Sequence, residues 1–132
     1  MILVDTNVVL DVLGNLPPWS DWSTTQLRHQ SRVHALLVTP VVYAELAASF
    51  ESALQLENRL DQLGLTCSDL PRQALFLAGH VHRDYRRAGG SRTQVLADFF
   101  IGAHAAVLGC GILTRDARRY RSYFPRVPLV TP

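Results

Sequence analysis

Short, mostly apolar runs that alternate with helical segments are the feature that most constrains the fold of this chain. Because few polar residues interrupt these runs, they are typical of strands buried on both faces of a parallel sheet. The sequence therefore predicts an α/β fold, a three-layer α/β/α sandwich whose mainly parallel sheet has four to five strands. The predicted strands span residues 2–4, 33–38, 65–68, 111–114 and 127–130.

Length and composition favour a single folded domain over residues 1–132. Hydrophobic residues make up 48% of the chain and charged residues only 18%, so the chain can bury a sizeable core. No apolar run approaches the roughly 20 residues of a membrane-spanning helix. The N-terminal segment lacks the basic residues of a signal peptide, so we expect a cytoplasmic protein that does not contact a membrane.

Four acidic residues carry the functional argument. Asp5 follows the first predicted strand, Asp116 lies just beyond the fourth, and Glu45 lies in the helix after the second. Because the carboxyl ends of parallel strands meet at one edge of a sheet, we expect these three side chains to gather there. Asp98 lies in the most apolar predicted helix, residues 94–108. Together the four would make a negative, oxygen-only pocket, which repels itself unless Mg²⁺ or Mn²⁺ fills it.

Each of these acids also has a purely structural interpretation. Asp5 and Asp116 are of a residue type that caps helices, and an acid at Glu45, one turn into a helix, suits the helix dipole. Asp98 is different, because an unpaired carboxylate in an apolar helix is costly and requires a metal or a nearby arginine as its partner. Thr114 has two open roles: its hydroxyl could serve a metal-bound water, or it could simply be a β-branched strand residue.

The arginines are concentrated in the second part of the chain. All 13 basic residues are arginine; residues 1–79 hold four against eight acids, whereas residues 80–132 hold nine against three. Guanidinium groups bind phosphate oxygens in pairs, so the arginine-rich part is suited to RNA. The alternatives are a codon bias toward arginine and a solvated surface. The arginines predicted to contact RNA are Arg87, Arg92 and Arg115.

Four motifs follow one another along the chain. They are Leu3-Val4-Asp5-Thr6-Asn7-Val8, Thr39-Pro40-Val41-Val42-Tyr43-Ala44-Glu45-Leu46, Leu96-Ala97-Asp98-Phe99-Phe100-Ile101-Gly102-Ala103-His104-Ala105 and Leu113-Thr114-Arg115-Asp116. In content and order they resemble the motifs of the PIN-domain ribonucleases, and specifically the VapC-type toxins of bacterial and archaeal toxin–antitoxin pairs. The resemblance covers essentially the whole chain, and the four motifs together are highly specific.

The resemblance implies an α/β/α sandwich, a Mg²⁺- or Mn²⁺-dependent endoribonuclease activity and a homodimer. It also implies a small, co-encoded VapB-like antitoxin whose C-terminal segment occludes the acidic pocket and whose other end often binds operator DNA. With this antitoxin the dimer would build a heterotetramer or a larger assembly. Carried over by position, the catalytic and metal-binding acids are Asp5, Glu45, Asp98 and Asp116. The supporting residues are Thr6, Asn7 and Thr114.

The chain departs from some relatives after Asp116. Those relatives carry one more acid shortly after that position, where this chain has Arg118, Arg119 and Arg121, which weighs against a fully formed second metal site. Our hypothesis is hydrolysis of phosphodiesters in single-stranded or loop RNA, assisted by one or two bound ions. The alternative is a catalytically decayed module that binds RNA or the antitoxin, and the presence of all four acids disfavours it.

Overall fold

The chain forms one parallel sheet that is covered by helices. The computed structural model describes residues 1–92 and 95–132, and in them all strand pairs are parallel. This confirms the predicted α/β/α sandwich. The strands are β1 (Ile2–Val4), β2 (Leu36–Val38), β3 (Leu65–Cys67), β4 (Gly111–Leu113) and β5 (Leu129–Val130), and their order across the sheet is β3-β2-β1-β4-β5.

Helices connect each strand to the next. Within the described residues they are α1 (Thr6–Gly14), α2 (Ser20–Ser31), α3 (Pro40–Ala47), α4 (Ala53–Leu63), α5 (Arg72–Arg87), α6 (Leu96–Leu108) and α7 (Arg118–Tyr123). Helix α1 packs against α2, and α6 packs against both α5 and α7. None of the described helices combines the length and the apolar character that crossing a membrane requires.

The direction of the chain reverses beside β1, the central strand. The chain runs outward from β1 through β2 to β3 and then returns to the other side of β1 as β4. Val4 is paired with Leu113, so β1 and β4 end level with each other. In open parallel sheets, a crevice forms at such a reversal, outside the carboxyl ends of the strands. Asp5, which directly follows β1, lines this crevice, and Thr114, which directly follows β4, is buried and contacts Asp5.

The core surrounds the central strand. Leu3 and Val4 of β1 are 0% exposed, as are Val8 in α1 and Phe99 in α6. Each fully buried side chain of this kind contributes roughly 1.5–3 kcal/mol relative to an exposed one. Strand β1 is therefore held rigidly from both faces, and so is the residue that follows it, Asp5.

Several predicted boundaries are wrong by one to three residues. Strands β3 and β4 each end one residue earlier than predicted, and β5 begins at Leu129 and not at residue 127. The second strand begins at Leu36 and not at residue 33, because its partner β1 starts only at Ile2, which pairs with Leu36. The sequence predicts that the last helix spans residues 117–123 with Asp116 as its N-cap, but the helix begins at Arg118 and its N-cap is Ala117. The predicted start of the sixth helix at residue 94 lies outside the described residues.

A glycine allows the end of α7 to approach α6 closely. A Cβ atom at Gly102 would overlap the ring of Phe124, which is 6% exposed and directly follows α7. The backbone N–H of Phe124 donates to the carbonyl of Tyr120 at 2.8 Å, which ties the ring to the helix. Gly102 thus fixes how α7 sits beside the helix that carries Asp98.

We expect Gly102→Ala to destabilise the protein by about 1–3 kcal/mol, because the added methyl group forces the Phe124 ring out of its place. Denaturant unfolding, monitored by tryptophan fluorescence, measures the change. The matched control is Gly79→Ala in α5, where a Cβ meets no atom within 4 Å. That change should add about 1 kcal/mol of stability, because alanine is the better helix former. Equal effects of the two substitutions would contradict this account of the packing.

Candidate functional site

The four predicted acids converge on one cavity. A cavity with a volume of about 330 Å³ is lined by Asp5, Glu45, Asp98 and Asp116, which come from four separate parts of the chain. Thr6, Asn7 and Arg115 also line it. We call this cavity the acidic pocket. Its existence is the geometric outcome that the sequence motifs predict, and the catalytic role of the four acids stays a prediction.

Asp5 is the most buried of the four predicted acids, at 6% exposed. Its Oδ1 accepts the backbone N–H of Thr6 at 2.7 Å, and its Oδ2 accepts the hydroxyls of Thr114 at 2.8 Å and Tyr120 at 3.0 Å. Burial raises the pKa of Asp5 above its ordinary value, while these hydrogen bonds act in the opposite direction. Asp5 therefore caps α1 and also forms the centre of a buried hydrogen-bond network.

The supporting residues join the ends of the two central strands. The Thr114 hydroxyl, which is 0% exposed, donates to Asp5 and accepts the backbone N–H of Asp116 at 3.1 Å. The Asn7 amide donates to Asp5 at 3.4 Å, and its carbonyl oxygen accepts the backbone N–H of Arg115 at 3.3 Å. These bonds hold the loop after β4 against the start of α1. Thr114 thus positions Asp5, beyond being a β-branched strand residue.

Thr6 connects the first motif to the second. Its hydroxyl donates to Oε1 of Glu45 at 2.9 Å, across 39 residues of sequence. Glu45 is an exposed residue of α3, so this bond gives its carboxylate a fixed direction toward the pocket. Glu45 is the sixth of the eight residues of α3 and lies outside its first turn, so the interpretation that this acid suits the helix dipole is wrong.

Asp98 has an arginine partner. Nη1 of Arg119 lies 3.3 Å from Oδ2 of Asp98, and the two side chains are 25% and 31% exposed. Burial is the largest influence on Asp98 and raises its pKa from 3.8 to about 6, and the negative charge of Asp5 adds to this effect, whereas Arg119 opposes it. One arginine therefore offsets only part of the cost of this carboxylate.

Asp116 is paired with its own neighbour on α7. Nε of Arg118 lies 3.2 Å from Oδ1 of Asp116, with side chains 85% and 48% exposed. Hydrogen bonding from Arg118 lowers the pKa of Asp116 below its ordinary value. At this exposure the pair contributes little stability, because water screens both charges.

Tyr120 is a site residue that the sequence analysis missed. It is 1% exposed, and its hydroxyl donates to Asp5. Burial and the negative charges of Asp5 and Asp98 raise its pKa well above the ordinary value, so the phenol keeps its proton and remains a donor. No local pattern marks it, since a tyrosine in a short helix has many structural roles.

A second missed residue, Asp11, forms an ion pair with Arg115 in the lining of the acidic pocket. Nε and Nη2 of Arg115 lie 2.8 Å and 3.1 Å from its two carboxylate oxygens, and the Ser23 hydroxyl donates to it at 2.8 Å. The guanidinium of Arg115 also lies over the ring of Trp19, 5.8 Å from its centroid. The signal for Asp11 was available: like Asp98, it is a lone carboxylate in an apolar helix.

The other two arginines predicted to contact RNA are exposed and do not line the acidic pocket. Arg87 lines a cleft on α5 with Arg83 and Arg86. Arg92 lines a cleft with Arg118 and Arg119, the two arginines that bind the acids of the pocket. Contact with RNA stays a prediction for Arg87, Arg92 and Arg115 alike, and Arg115 has a structural role besides.

The donor set of the pocket fits a hard divalent cation. Within residues 1–92 and 95–132, no three histidine, cysteine or carboxylate side chains already stand in a metal-binding arrangement. The four pocket acids nevertheless face one cavity and offer only oxygen donors, which Mg²⁺ and Mn²⁺ prefer. Burial, and after it the negative charge of Asp5, raises the pKa of Asp98, so a cation that binds this carboxylate would stabilise its charged form.

Comparison with known families identifies the domain. A family model described as the PIN domain matches residues 2–125, a range that contains every residue of the acidic pocket. No curated protein sequence matches the chain.

Solved structures share the fold at low sequence identity. The structure of VapBC2 from Rickettsia felis, bound to a DNA fragment from the promoter, has a TM-score of 0.75 and 19% identity and covers 100% of this chain and 99% of that chain. VapBC-1 from nontypeable Haemophilus influenzae has a TM-score of 0.73, 17% identity and coverages of 99% and 98%. A toxin–antitoxin complex from Klebsiella pneumoniae has a TM-score of 0.70, 16% identity and coverages of 100% and 98%. At these identities the likeness shows the fold alone.

The raised pKa of Asp98 predicts how the stability of the metal-free protein depends on pH. In the unfolded chain Asp98 titrates near 3.8, and in the folded protein near 6. The folded state therefore holds the proton more tightly, so the free energy of unfolding falls as pH rises from about 4 to about 6. In Asp98→Asn this side chain cannot ionise, and the fall should be smaller. Urea unfolding of both proteins in EDTA, across that pH range, measures the difference; identical pH profiles would contradict the assignment.

The Asp11–Arg115 pair predicts a large cost for removing the arginine. Arg115→Ala leaves Asp11, whose side chain is 2% exposed, as a buried carboxylate without its counter-charge. We expect a loss of about 3 kcal/mol in the free energy of unfolding. The control is Arg121→Ala, an exposed arginine that should change stability by less than about 0.5 kcal/mol. A similar, small effect of both substitutions would show that the ion pair is not structural.

Proposed function

The chain belongs to the PIN domain family, and on that premise we propose that it is a metal-dependent endoribonuclease, the toxin of a toxin–antitoxin pair. The observation that carries the proposal is the convergence of Asp5, Glu45, Asp98 and Asp116 on one cavity. Membership of the family supports a nuclease activity in general. The divalent cation and the RNA substrate are the finer parts of the proposal.

The proposed cofactor is Mg²⁺ or Mn²⁺, held by the carboxylates of Asp5, Glu45, Asp98 and Asp116. The chemistry that such a cation supplies is the activation of a water molecule and the neutralisation of charge on the phosphodiester. The pocket offers no histidine or cysteine among its described lining residues, so its donors are those of a hard cation.

The protein's own contribution is the fixed position of the carboxylates. The hydroxyls of Thr114 and Tyr120 donate hydrogen bonds to the carboxylate of Asp5, and the hydroxyl of Thr6 donates one to the carboxylate of Glu45. Because these carboxylates are already oriented, they need no reorganisation during the reaction. The phenol of Tyr120 keeps its proton, so we assign it a positioning role and no proton transfer.

We propose that the substrate is single-stranded or loop RNA in the cytoplasm. The scissile phosphates of such RNA are accessible, and its bases can leave the stack. Arg87 and Arg92 are exposed and belong to clefts that contain further arginines, which suits contact with the phosphate backbone. Base-specific recognition is a separate matter, because phosphate contacts fix the register and carry no sequence information.

The toxin role adds partners to the proposal. We propose a small VapB-like antitoxin that occludes the acidic pocket, and a homodimer that builds a heterotetramer or a larger assembly with it. The structures of VapBC and toxin–antitoxin complexes that share this fold support the proposal. It predicts a gene for a short DNA-binding protein immediately upstream, whose product, when co-expressed, relieves growth arrest caused by this chain.

One observation favours the rival function, a module that binds RNA or the antitoxin without cleaving RNA. Two of the four carboxylates already have arginine partners, Arg118 and Arg119. A binding module would hold RNA without a cation. The requirement for a divalent cation therefore distinguishes the two functions. A nuclease needs the cation to cleave RNA, whereas a binding module does not need it to bind RNA.

The test is cleavage of a total-RNA pool by the purified protein with Mg²⁺ or Mn²⁺ and with EDTA. We expect discrete fragments that appear only with the cation. Asp98→Asn should reduce the rate about a hundredfold or more, since loss of outer-shell partners alone costs metal sites about 10- to 100-fold. Asp5→Asn should also abolish cleavage. Because this substitution alters a buried hydrogen-bond network, it is more prone to cause misfolding, so Asp98→Asn is the primary test variant.

The matched control is Asp61→Asn, which removes an exposed carboxylate from α4. It should cleave at the wild-type rate. Wild-type cleavage by Asp98→Asn, or cleavage that continues in EDTA, would contradict the proposed site. Binding of RNA without any cleavage, by folded protein with Mn²⁺ present, would favour the rival function.

A further inference from the structure

Two arginines of α7 stand between the acidic pocket and a second cleft. Arg118 and Arg119 bind Asp116 and Asp98 of the pocket at 3.2 Å and 3.3 Å. The same two arginines line a neighbouring cleft with a volume of about 240 Å³. The other residues of that cleft are Tyr85, Arg92, Ser122 and Tyr123.

Arg119 is the better placed of the two to influence the pocket. Its side chain is 25% exposed, whereas that of Arg118 is 85% exposed and is screened by water. Its partner Asp98 lies close enough to Asp5 and Asp116 for both to disfavour its charge. In the metal-free protein, Arg119 therefore supplies the positive charge that stabilises the Asp98 carboxylate in the pocket.

A divalent cation and the Arg119 guanidinium are like charges that compete for the same carboxylate. A guanidinium does not lose its proton in proteins, so Arg119 cannot relieve the competition by becoming neutral. Once a cation neutralises Asp98, the attraction that holds Arg119 on it weakens. The guanidinium then has a ready alternative in the neighbouring cleft, which it already lines.

That cleft has the chemistry of a nucleic-acid backbone site. It contains three arginines together with the rings of Tyr85 and Tyr123, whose centroids are 6.1 Å apart. Guanidinium groups bind phosphate oxygens in pairs, and the two tyrosine rings, which also pack against Phe99, form a wall of the cleft. An RNA strand whose phosphate lies at the acidic pocket would pass this cleft next.

We propose that Arg119 is an exchange residue: it neutralises Asp98 while the cation is absent and binds an RNA phosphate once the cation has taken that carboxylate. The inference rests on the proposed function and deepens it, because it names the residue that links cation binding to RNA binding. It also gives Arg119, one of the arginines that replace an acid after Asp116, a function of its own.

The first test is cation affinity, measured by isothermal titration of Mn²⁺ into metal-free protein. Arg119→Gln should bind Mn²⁺ about fivefold more tightly than the wild type, a change equivalent to about 1 kcal/mol, because a competing positive charge is gone. The matched control is Arg121→Gln, which removes the same charge from an exposed position of the same helix. Its Mn²⁺ affinity should stay within twofold of the wild type, roughly the effect of a screened surface charge.

The second test is RNA affinity in saturating Mn²⁺, measured by fluorescence anisotropy with a short 2′-O-methyl oligoribonucleotide of mixed sequence. Arg119→Gln should bind this probe more weakly, and the slope of log affinity against log salt should fall by about 0.7, the value for one lost phosphate contact on a single strand. Arg121→Gln should leave the slope as in the wild type. The opposite signs of the two effects for Arg119→Gln are the signature of exchange.

The outcomes distinguish this inference from the proposed function. Unchanged or weaker Mn²⁺ binding by Arg119→Gln would overturn the competition, and an unchanged salt slope would overturn the phosphate contact, even if the wild type cleaves RNA. A wild type that neither binds Mn²⁺ nor cleaves RNA would overturn the proposed function and the exchange with it. Tighter Mn²⁺ binding together with a smaller salt slope, in Arg119→Gln alone, supports the inference.

Discussion

The burial of one carboxylate at the end of the central strand is the constraint on which the rest of the site depends. Asp5 follows a strand that is buried on both faces, and Asp5 itself is only 6% exposed. A carboxylate in such a place is tolerated only with hydrogen-bond donors around it. The donors come from α1, from the end of β4 and from α7, through Thr6, Thr114 and Tyr120. These donors fix the segment that carries Asp116, and they also place α1 and α7, whose Thr6 and Arg119 side chains bind Glu45 and Asp98.

The short helix α7 serves several parts of the site at once. Tyr120 reaches down to Asp5, Arg119 reaches across to Asp98, and the helix leads into Phe124, which packs on Gly102 of α6. A change in how this helix sits would alter the hydrogen bonding of one acid and the counter-charge of another. Helix α7 thus belongs to the arginine-rich part of the sequence and contacts the acidic pocket directly.

The sequence predicted the gathering of the acids because topology determines it. Asp5 and the segment carrying Asp116 follow adjacent parallel strands, so pairing of Val4 with Leu113 is enough to bring them together. Asp98 was predicted by a different argument, the cost of a carboxylate in an apolar helix, and the same argument identifies Asp11 only with hindsight. The partner of Asp11 could not be predicted, because Arg115 is 104 residues away and reaches it only through the fold.

Two other features of the structure could not be predicted from the residue pattern and spacing of the sequence. The arginines after Asp116 were visible in the sequence, but the sequence of a six-residue helix does not reveal which of them turns inward. In the structure Arg119 does, with a side chain 25% exposed, whereas that of Arg118 is 85% exposed. Residues 33–35 have strand composition, yet they extend beyond the first residue of β1 and so lack a continuous partner. Both depend on the length or placement of a neighbouring element.

The central claim is that the four carboxylates form one cation site, and anomalous diffraction from crystals soaked in Mn²⁺ tests it most directly. The account predicts a principal Mn²⁺ peak inside the acidic pocket, roughly 2.0–2.2 Å from carboxylate oxygens of Asp5 and Asp98 and with Asp116 or Glu45 beside it. The same peak should be absent in Asp98→Asn. A saturating soak that leaves the pocket without a peak, or that places Mn²⁺ only on other acids, would contradict the claim.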